Sequence, residues 1–372
     1  MQNKTRALFE NMSDIHYRLQ FHHALSPAGW YLGRSMFIEN YWLHEVIANN
    51  RLYTQDTHLF IAQNCPRAQR GPRLPPLKTQ LEVMPQQQDN NALLLLEKTP
   101  PLSKHVLFKD EYIENYIIQQ YAQDYESINR VLIQIALKTD KGRYTPEKHL
   151  QAQQYERNTL HIEQGNYTVG GALPNAYDLE LPAHSVFLKP YQIAKSPVNN
   201  AEYLCFMQEG GYTTPRWWSP YGWQWRDKNN IICPEHWRKN AENQWYAVSA
   251  QGALDLLAED FVYGLSHYEA CAFAQWAGAR LPHEHEWESA ARTGQLVNTT
   301  KVWEWCENTL FPYDNFQTFP DNPPSPGAPD YTRIVLKGAS IYTRPEIRRA
   351  SFRNAHEAHQ RHIFAGLRPV FD

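Results

Sequence analysis

The sequence predicts a multidomain α+β protein, with a helical N-terminal part followed by an irregular, loop-rich part of short strands and helices. Residues 1–140 place apolar side chains at helical spacing, whereas residues beyond about 160 change to short strand-like pieces between turns. The 25 prolines outnumber the 17 glycines, which indicates many fixed turns. With 372 residues the chain is long enough for two or three domains and a sizeable core.

Composition disfavours several classes of protein. The formal net charge is −3 and 20% of residues are charged, so bulk charge does not indicate a nucleic-acid partner. No run of about 18 apolar residues occurs, and the N-terminus MQNKTRALFENMSD has no apolar signal core, so we expect no membrane partner and a cytoplasmic location. Wide spacing and the absence of a CxxC pair predict neither a disulfide framework nor a structural zinc site. The cysteines are Cys65, Cys205, Cys233, Cys271 and Cys306.

Helices dominate the first 140 residues. The first is predicted from about Lys4 to His23, and the second begins with Ser26 as N-cap and Pro27 at the first helical position. The inward stripe of the second helix is Trp30, Arg34, Phe37 and Tyr41. Residues 51–110 are predicted to be mostly irregular, with a basic Pro-rich loop QNCPRAQRGPRLPPL and short apolar pieces LEVM and NNALLLLEK.

A strong helix is predicted from Asp110 to about Lys138. Its inward stripe is Ile113, Ile117, Gln120, Asp124, Ile128, Val131 and Ile135. A buried carboxylate is costly unless it is paired, and Arg34 has the same problem on its own helix. We therefore expect Asp124 and Arg34 to meet; the alternative is that one of them opens onto solvent or a cleft.

Beyond a polar linker at 141–160, the pattern changes. IEQGNYTVGG and HSVFLKPYQIAKSPV are strand-like. Three helices are predicted: NNAEYLCFMQEGGY, SHYEACAFAQWAGARL with Ser266 as N-cap and Gly278 as stop, and PHEHEWESAARTG starting at Pro282. TPRWWSPYGWQW is interpreted as a Trp-rich loop and FQTFPDNPPSPGAPDY as a Pro-rich surface loop.

The stretch from Leu336 to Phe371 is rich in arginine and is predicted to be a strand pair joined by a polar loop. Its arginines are Arg344, Arg348, Arg349, Arg353, Arg361 and Arg368. Such arginines either pair with carboxylates inside a loop-rich domain or bind an anionic ligand, and pairing is the favoured reading.

The segments SPVNNAEYLCFMQEGGY, YEACAFAQWAGARLPHEHEWESAAR, VWEWCENTLFPY and KGAS…FRN…FAGLRPVF resemble the formylglycine-generating-enzyme, or sulfatase-modifying-factor, domain. GGYTTPRWWSPYGWQW and TRPEIRRASFRN resemble its EgtB-type branch, the sulfoxide synthases of ergothioneine biosynthesis. SPAGWYLGRSMFIENYWL and NYIIQQYAQDYE are similar to the metal-bearing segments of that family's DinB-like four-helix bundle. The resemblance implies a bundle at 1–140, a linker at 141–160 and an irregular, C-type-lectin-like α+β domain at 161–372.

The family binds non-haem iron through three histidines, one in a GWHLGH segment and two in an HxxxHxE helix. Here GWYLGR places Arg34 at the first position, QQYAQDYE places Gln120 and Asp124 at the other two, and only Glu126 remains. A guanidinium stays protonated and offers no lone pair to a metal. We therefore expect no metal and no Fe(II) cofactor, with an Arg34–Asp124 ion pair bridged by Gln120 in its place.

Other metal chemistry is also disfavoured. No cysteine follows Cys306, so the cysteine pair that holds copper in formylglycine-generating enzymes is missing. Lys301 in TKVWEW replaces the asparagine that accompanies structural calcium in some family members. His283 and His285, two residues apart, are expected to point to different faces of a helix and to share no metal.

By resemblance, the arginine-rich stretch forms the wall of an inter-domain pocket. The family's acid and arginine that hold the thiol substrate fall near His356 and Gln360, so the substrate contacts are changed. His356, His359 and His362 either cluster on one side of a turn or form a solvated loop, and the latter is favoured. Arg70 and Arg73 either hold a carboxylate ligand or fasten the two domains together. The candidate pocket is Arg70, Arg73, Trp223, Tyr313, His356, His359, Gln360 and His362.

Three functions remain open from the sequence. The favoured one is a divergent, metal-free pseudoenzyme related to thiol and histidine-betaine metabolism, which binds an amino-acid or thiol ligand or acts beside a homologous catalytic subunit. The alternative is an active oxidoreductase of the non-haem-iron sulfoxide synthase family with altered chemistry or ligands, for example histidines of the C-terminal domain. An unaltered iron-dependent sulfoxide synthase is least favoured, because the chain offers no replacement HxxxHxE segment.

Overall fold

The computed structural model describes residues 2–50, 57–97, 104–317 and 332–372. The chain divides into two compact units. Unit 1 comprises Met1–Lys138, Leu173–Asn175 and Tyr342–Ile347, and unit 2 comprises Thr139–Ala172, Ala176–Ile341 and Arg348–Asp372. The predicted Pro-rich surface loop lies largely at 318–331, outside the described residues.

Unit 1 is helical. Its helices are α1 Gln2–Ala7, α2 Asp14–Arg18, α3 Ala28–Asn40, α4 Thr57–Phe60, α5 Arg67–Arg73, α6 Leu77–Glu97 and α7 Tyr112–Thr139, and a π-helical segment at Tyr41–Ile47 continues α3. Its core includes Phe9, Tyr17, Trp30, Met84 and Ile128. Within the described part of the chain, no helix is long and apolar enough to cross a membrane.

The single first helix predicted from Lys4 to His23 is wrong, because α1 and α2 are separate. Ser13 begins the second of them, and its side chain accepts a hydrogen bond from the His16 backbone N–H. A serine followed by an acidic residue is a helix-start signal, and it interrupts the longer prediction. The next helix, α3, begins one residue later than expected, with Pro27 rather than Ser26 in the N-cap position.

The described part of 51–110, residues 57–97 and 104–110, is more helical than predicted. LEVM and the first eight residues of NNALLLLEK lie in α6, which is 21 residues long, and the basic Pro-rich loop contains α5. Lys98, the last residue of the second piece, lies outside the described residues. The buried side chains of α6 are Gln80, Met84, Gln88 and Asn91. Their spacing is helical, but three of the four are polar, so the periodicity of apolar residues on which the prediction relied is absent.

The long helix α7 agrees with its prediction. It runs from Tyr112 to Thr139, against the predicted Asp110 to Lys138. All seven residues of the predicted stripe are buried, including Gln120 and Asp124. The two polar positions therefore lie on the packed face of the helix rather than in solvent.

Every strand among the described residues belongs to unit 2, where these strands form four small sheets. The strands are β1 Thr159–Ile162, β2 Gly165–Val169, β3 His184–Leu188, β4 Tyr191–Ala194, β5 Trp237–Lys239, β6 Trp245–Ser249, β7 Gly252–Asp255, β8 Trp303–Thr309, β9 Arg333–Gly338, β10 Asn354–Glu357, β11 Ala365–Gly366 and β12 Val370–Phe371. The sheet orders are β1-β4-β12, β10-β9-β8-β11, β2-β3 and β5-β6-β7. Neighbouring strands are antiparallel except β11 with β8, which are parallel.

The helices of unit 2 are α8 Asn200–Gln208, α9 Pro220–Lys228, α10 His267–Trp276 and α11 Glu284–Arg292. The predicted cap of α10 is confirmed, because Ser266 and Glu269 form a capping box. The interpretation of TPRWWSPYGWQW as a loop is wrong, since Ser219 caps α9 and Pro220 occupies its first turn. Helix α11 begins at Glu284 rather than Pro282, with His283 as its N-cap.

Four arginines of the arginine-rich stretch, all of them in unit 2, pair with carboxylates, as favoured from the sequence. Arg349 pairs with Glu180, Arg353 with Glu284, Arg361 with Glu235 and Glu269, and Arg368 with Glu304. The pairs of Arg353 and Arg368 are bidentate and buried. These guanidiniums hold short strands and loops together where regular secondary structure is sparse.

Candidate functional site in the helical unit

The side chains of Arg34 and Asp124 meet inside unit 1. Nη1 of Arg34 lies 2.8 Å from Oδ1 and 2.8 Å from Oδ2 of Asp124. Nη2 of Arg34 donates to Oε1 of Gln120 at 3.0 Å. Helix α3 supplies the arginine and α7 supplies both of its partners, one turn apart. The predicted ion pair and the predicted Gln120 contact are both present.

A fourth group completes this cluster. The hydroxyl of Ser35 donates to Oδ2 of Asp124 at 2.9 Å. The sequence reasoning missed Ser35, although its position directly after Arg34 on α3 could have suggested it. Each oxygen of the Asp124 carboxylate therefore accepts at least one hydrogen bond, as a buried charge requires.

Burial differs between the two charged partners. The side chain of Asp124 is 4% exposed and that of Arg34 is 23% exposed. Burial raises the pKa of the Asp124 carboxyl, whereas the Arg34 guanidinium and the Ser35 hydroxyl act to lower it. Burial alone would lower the pKa of Arg34, but the Asp124 carboxylate raises it above its ordinary value. The guanidinium is therefore a permanent cation held against the carboxylate.

The non-haem iron that the resemblance implies does not fit these residues. Arg34 has no lone pair to donate, and its guanidinium occupies both oxygens of Asp124 and the amide oxygen of Gln120. Iron sites of this class use imidazole and carboxylate ligands and keep open positions. Among the described residues, no group of three or more His, Cys, Asp or Glu side chains is arranged to hold a metal ion.

Glu126 belongs to a different cluster of the same helix. Its Oε1 accepts from Nη2 of Arg130 at 3.1 Å, and its Oε2 accepts from the Thr343 hydroxyl at 2.6 Å. The Arg344 guanidinium lies 5.7 Å from the ring of Tyr125. The Glu126 carboxylate thus anchors the Tyr342–Ile347 segment within unit 1.

Arg70 and Arg73 have contrasting surroundings. The guanidinium of Arg70 is buried, donates to the backbone oxygens of Cys65 and Ala62 and to the Ser26 hydroxyl, and lies 4.0 Å from the Trp30 ring. These contacts fasten the segment around α5 to the start of α3. Arg73 is exposed and donates to Gln69 at 3.0 Å. A ligand role for either arginine stays a prediction.

The histidines of the C-terminal stretch are only partly clustered. Nδ1 of His356 lies 2.8 Å from Oε1 of Gln360, and the rings of His356 and His362 are 6.2 Å apart. His362 is buried, whereas the side chain of His359 is 42% exposed and lies 3.5 Å from Glu357. The structure therefore brings three of the four predicted residues together and turns His359 towards solvent.

The remaining pocket candidates have their own partners in unit 2. Tyr313 packs against His184 with ring centroids 4.5 Å apart and beneath Arg353 at 4.1 Å. Trp223 packs against Trp218 and under Arg226.

The expectation that His283 and His285 point apart is wrong. Their ring centroids are 4.6 Å apart, because His283 is not helical and its Nδ1 accepts a hydrogen bond from the His285 backbone. The expectation of no shared metal had rested on that separation and stays a prediction.

All five cysteines are free thiols. This agrees with the sequence, which predicted no disulfide framework. Burial raises the pKa of Cys271 to about 12 and that of Cys233 to about 11, so neither is an activated nucleophile.

Comparison with known proteins places this geometry in context. Residues 145–301 match the family model of the sulfatase-modifying factor enzyme 1-like domain. Hercynine oxygenase from Mycobacterium tuberculosis is 31% identical over 246 residues, which cover 54% of this chain and 56% of that protein. Hercynine oxygenase from Mycolicibacterium smegmatis is 29% identical over 247 residues, covering 54% and 57%. The chain thus spans about half the length of these relatives.

Among solved structures, PvdO from Pseudomonas aeruginosa is similar with a TM-score of 0.41 and 13% identity, over 61% of this chain and 99% of that one. The resemblance noted from the sequence motifs is confirmed by the curated relatives. Over about half of its length the chain is similar to hercynine oxygenases, and residues 145–301 match the sulfatase-modifying factor enzyme 1-like domain.

Proposed function

We propose that this chain is a divergent EgtB-type protein that works without iron, as a small-molecule-binding or partner subunit related to thiol and histidine-betaine metabolism. The observation that carries the proposal is the closed cluster of Arg34, Asp124 and Gln120. At the three positions where the family resemblance expects histidine ligands, the Arg34 guanidinium instead donates hydrogen bonds to the Asp124 carboxylate and the Gln120 amide oxygen. A fixed cation there repels a metal ion as well as failing to bind it.

The ligand class follows from the relatives. Hercynine oxygenases are named for hercynine, a histidine betaine. A related protein without the oxygen chemistry could still bind such a ligand, either alone or beside an active homologue. The proposed ligand is therefore a histidine betaine or a small thiol such as cysteine or γ-glutamylcysteine.

Metal analysis tests the loss of iron. The full chain, purified anaerobically and supplied with Fe(II), is compared with the triple variant Arg34→His, Gln120→His, Asp124→His. We expect far less than one iron per wild-type chain and a clear gain of iron in the variant. Iron near one per wild-type chain would overturn the proposal. Thermal melting of both proteins shows whether the variant folds, and the wild-type measurement decides the question by itself.

Calorimetry tests the binding role. The wild-type chain is titrated with histidine betaine, cysteine and γ-glutamylcysteine, and we expect at least one of them to bind without conversion. Formation of a sulfoxide product from histidine betaine, thiol and oxygen would contradict the metal-free proposal and favour the alternative of an active oxidoreductase. Failure of all three ligands to bind would contradict the small-molecule role.

A further inference from the structure

A half-open cavity of about 270 Å³ lies in unit 1, apart from the Arg34 cluster. Ala92 and Leu95 of α6 and Ile117, Ile118 and Tyr121 of α7 form most of its wall. Most of this surface is apolar, and the volume is near the lower end for small-molecule sites, about 300 Å³. The space suits an organic body of about one ring or a short aliphatic chain.

Glu39, on α3, also lines this cavity. Glu39 is 4% exposed. The Tyr121 hydroxyl donates to its Oε2 at 2.7 Å and the Gln2 amide donates to the same oxygen at 3.0 Å. Burial raises the pKa of Glu39, and hydrogen bonds from Tyr121, Asn91 and Gln2 act to lower it. All three of these donors are neutral.

The cavity is unbalanced in charge. No Lys, Arg or His is among the described lining residues, so the cavity wall supplies no cation to Glu39. Gln88 lines it as well and is 8% exposed. An apolar cavity with buried carboxylate character and no cation favours a positively charged occupant.

Other buried carboxylates of this chain show what Glu39 lacks. Asp124 has Arg34, Glu126 has Arg130, Glu284 has Arg353, Glu288 has Lys337 and Glu304 has Arg368. Within the described ranges no cation pairs with Glu39, and its hydrogen bonds end on neutral groups. Glu39 therefore differs from these five carboxylates, because no cation among the described residues is paired with it.

We propose that this cavity binds an organic monocation, a protonated amine with a compact apolar body. The ammonium group donates hydrogen bonds to the Glu39 carboxylate, and the body packs against Leu95, Ile117 and Ile118. A charge-assisted hydrogen bond in an apolar site is about twice as strong as a neutral one, so charge is the main source of selectivity. The site is independent of iron loss and of the proposed betaine or thiol ligand.

Calorimetric titration of the full chain at pH 7 tests the proposal with three probes that share one body. Phenethylamine is cationic, 2-phenylethanol is neutral and 3-phenylpropionate is anionic. We expect phenethylamine to bind at least about tenfold more tightly than the alcohol, and the carboxylate not to bind. Equal affinity for amine and alcohol, or no binding of the amine, would overturn the proposal.

Variants locate the binding site. Glu39→Gln keeps the shape and removes the charge, and we expect the affinity for phenethylamine to fall at least about tenfold. Glu82→Gln makes the same change at an exposed position of α6 and should leave the affinity within about twofold. Ala92→Phe, at an exposed lining position, should block the cavity while Glu39 is retained.

Melting curves without ligand show whether each variant folds, and Ala92→Phe still carries the test if Glu39→Gln does not fold. Undiminished amine binding in a folded Glu39→Gln or Ala92→Phe variant would refute the site.

Discussion

The guanidinium of Arg34 holds the carboxylate of Asp124 across 90 positions of the sequence, with both oxygens 2.8 Å from Nη1. The arginine is partly exposed and the aspartate is not. The two partners therefore depend on each other unequally. Water can hydrate the guanidinium if the carboxylate is lost, whereas nothing replaces the guanidinium beside a buried carboxylate.

This asymmetry predicts the cost of breaking the pair. Arg34→Met should lower the free energy of unfolding by roughly 3–5 kcal/mol at pH 7, because Asp124 stays buried without its cation. Asp124→Asn should cost less, about 1–3 kcal/mol, because it leaves a partly hydrated arginine. Denaturant unfolding at pH 7 measures both.

The same variant has a pH signature. Removal of the Arg34 cation should raise the pKa of the Asp124 carboxyl still further. As the pH falls, this carboxyl becomes protonated and no longer needs a cation. The stability deficit of Arg34→Met relative to wild type should therefore shrink at low pH. Equal costs for Arg34→Met and Asp124→Asn, or a deficit that grows at low pH, would contradict the buried pairing.

Thr343 and Glu126 provide a second test inside unit 1. Thr343→Val keeps the shape but removes the hydroxyl that donates to Oε2 of Glu126 at 2.6 Å. Both residues are buried, so we expect a loss of about 1–3 kcal/mol in the free energy of unfolding. Thr300→Val, at an exposed position, should change stability by less than about 0.5 kcal/mol. Similar losses of unfolding free energy in both variants would show that the Thr343 hydroxyl does not stabilise the fold through Glu126.

The pair of Lys337 and Glu288 is the corresponding feature of unit 2. Both side chains are 0% exposed, and Nζ lies 2.9 Å from Oε2. Oε1 of Glu288 accepts from the Gly170 backbone and from Arg292. Burial raises the pKa of Glu288, but Lys337 and Arg292 outweigh it and hold the pKa below 4.5.

Lys337→Met should therefore cost roughly 3 kcal/mol, since one cation of two is lost from a buried carboxylate. Lys78→Met, at an exposed pair with Glu82, should cost at most about 0.5 kcal/mol. Because the pKa of Glu288 is depressed in the folded protein, the ionised carboxylate stabilises the fold above about pH 4.5, and this stabilisation is lost as the pH falls. The difference in free energy of unfolding between wild type and Lys337→Met should therefore narrow in acid. Denaturation midpoints from pH 7 to pH 4 check this, and a constant gap would exclude the ionic explanation.

The sequence predicted the Arg34–Asp124 pair because polar residues interrupted an apolar stripe. On α7 the interruption by Gln120 and Asp124 was informative because the surrounding isoleucines fixed which face was buried. On α6 the buried positions are themselves mostly polar, so no stripe was visible and the helix was missed. Glu39 was missed for the same reason, because a lone acidic residue on α3 gives no sign that its carboxyl is enclosed.

Helix starts show a similar limit. A serine followed by proline precedes both α3 and α9, yet only Ser219 caps its helix, while the hydroxyl of Ser26 accepts from Arg70 instead. Local sequence could not decide between these outcomes, because the competing partner of Ser26 comes from a segment 44 positions away. Residue type alone favoured pairing of the C-terminal arginines over binding of an anionic ligand, whereas the identity of each carboxylate partner required the fold.

His236 gives the last prediction, which concerns pH. It is 1% exposed, and neither ring nitrogen has a hydrogen-bond partner among the described residues. Burial lowers its pKa from 6.5 to about 4. The imidazole is therefore neutral in the folded protein and becomes protonated more readily in the unfolded chain. Its contribution to stability is complete above about pH 6.5 and is lost progressively as the pH falls towards 4, by about 1.4 kcal/mol per pH unit.

Burial also lowers the pKa of His267 and of His285 to about 4, so these residues act in the same direction. The free energy of unfolding of the wild type should therefore change with pH, between pH 6.5 and 5, more steeply than the uptake of a single proton would cause. His236→Leu should reduce that slope by about 1.4 kcal/mol per pH unit. Tyr263→Leu removes the ring that packs on His236 at 4.8 Å without removing the imidazole, and should lower stability while largely keeping the slope. Urea denaturation of the three proteins across this range measures the slopes. An unchanged slope in His236→Leu would mean that this histidine is protonated equally in the folded and unfolded states, and that its burial is not maintained in solution.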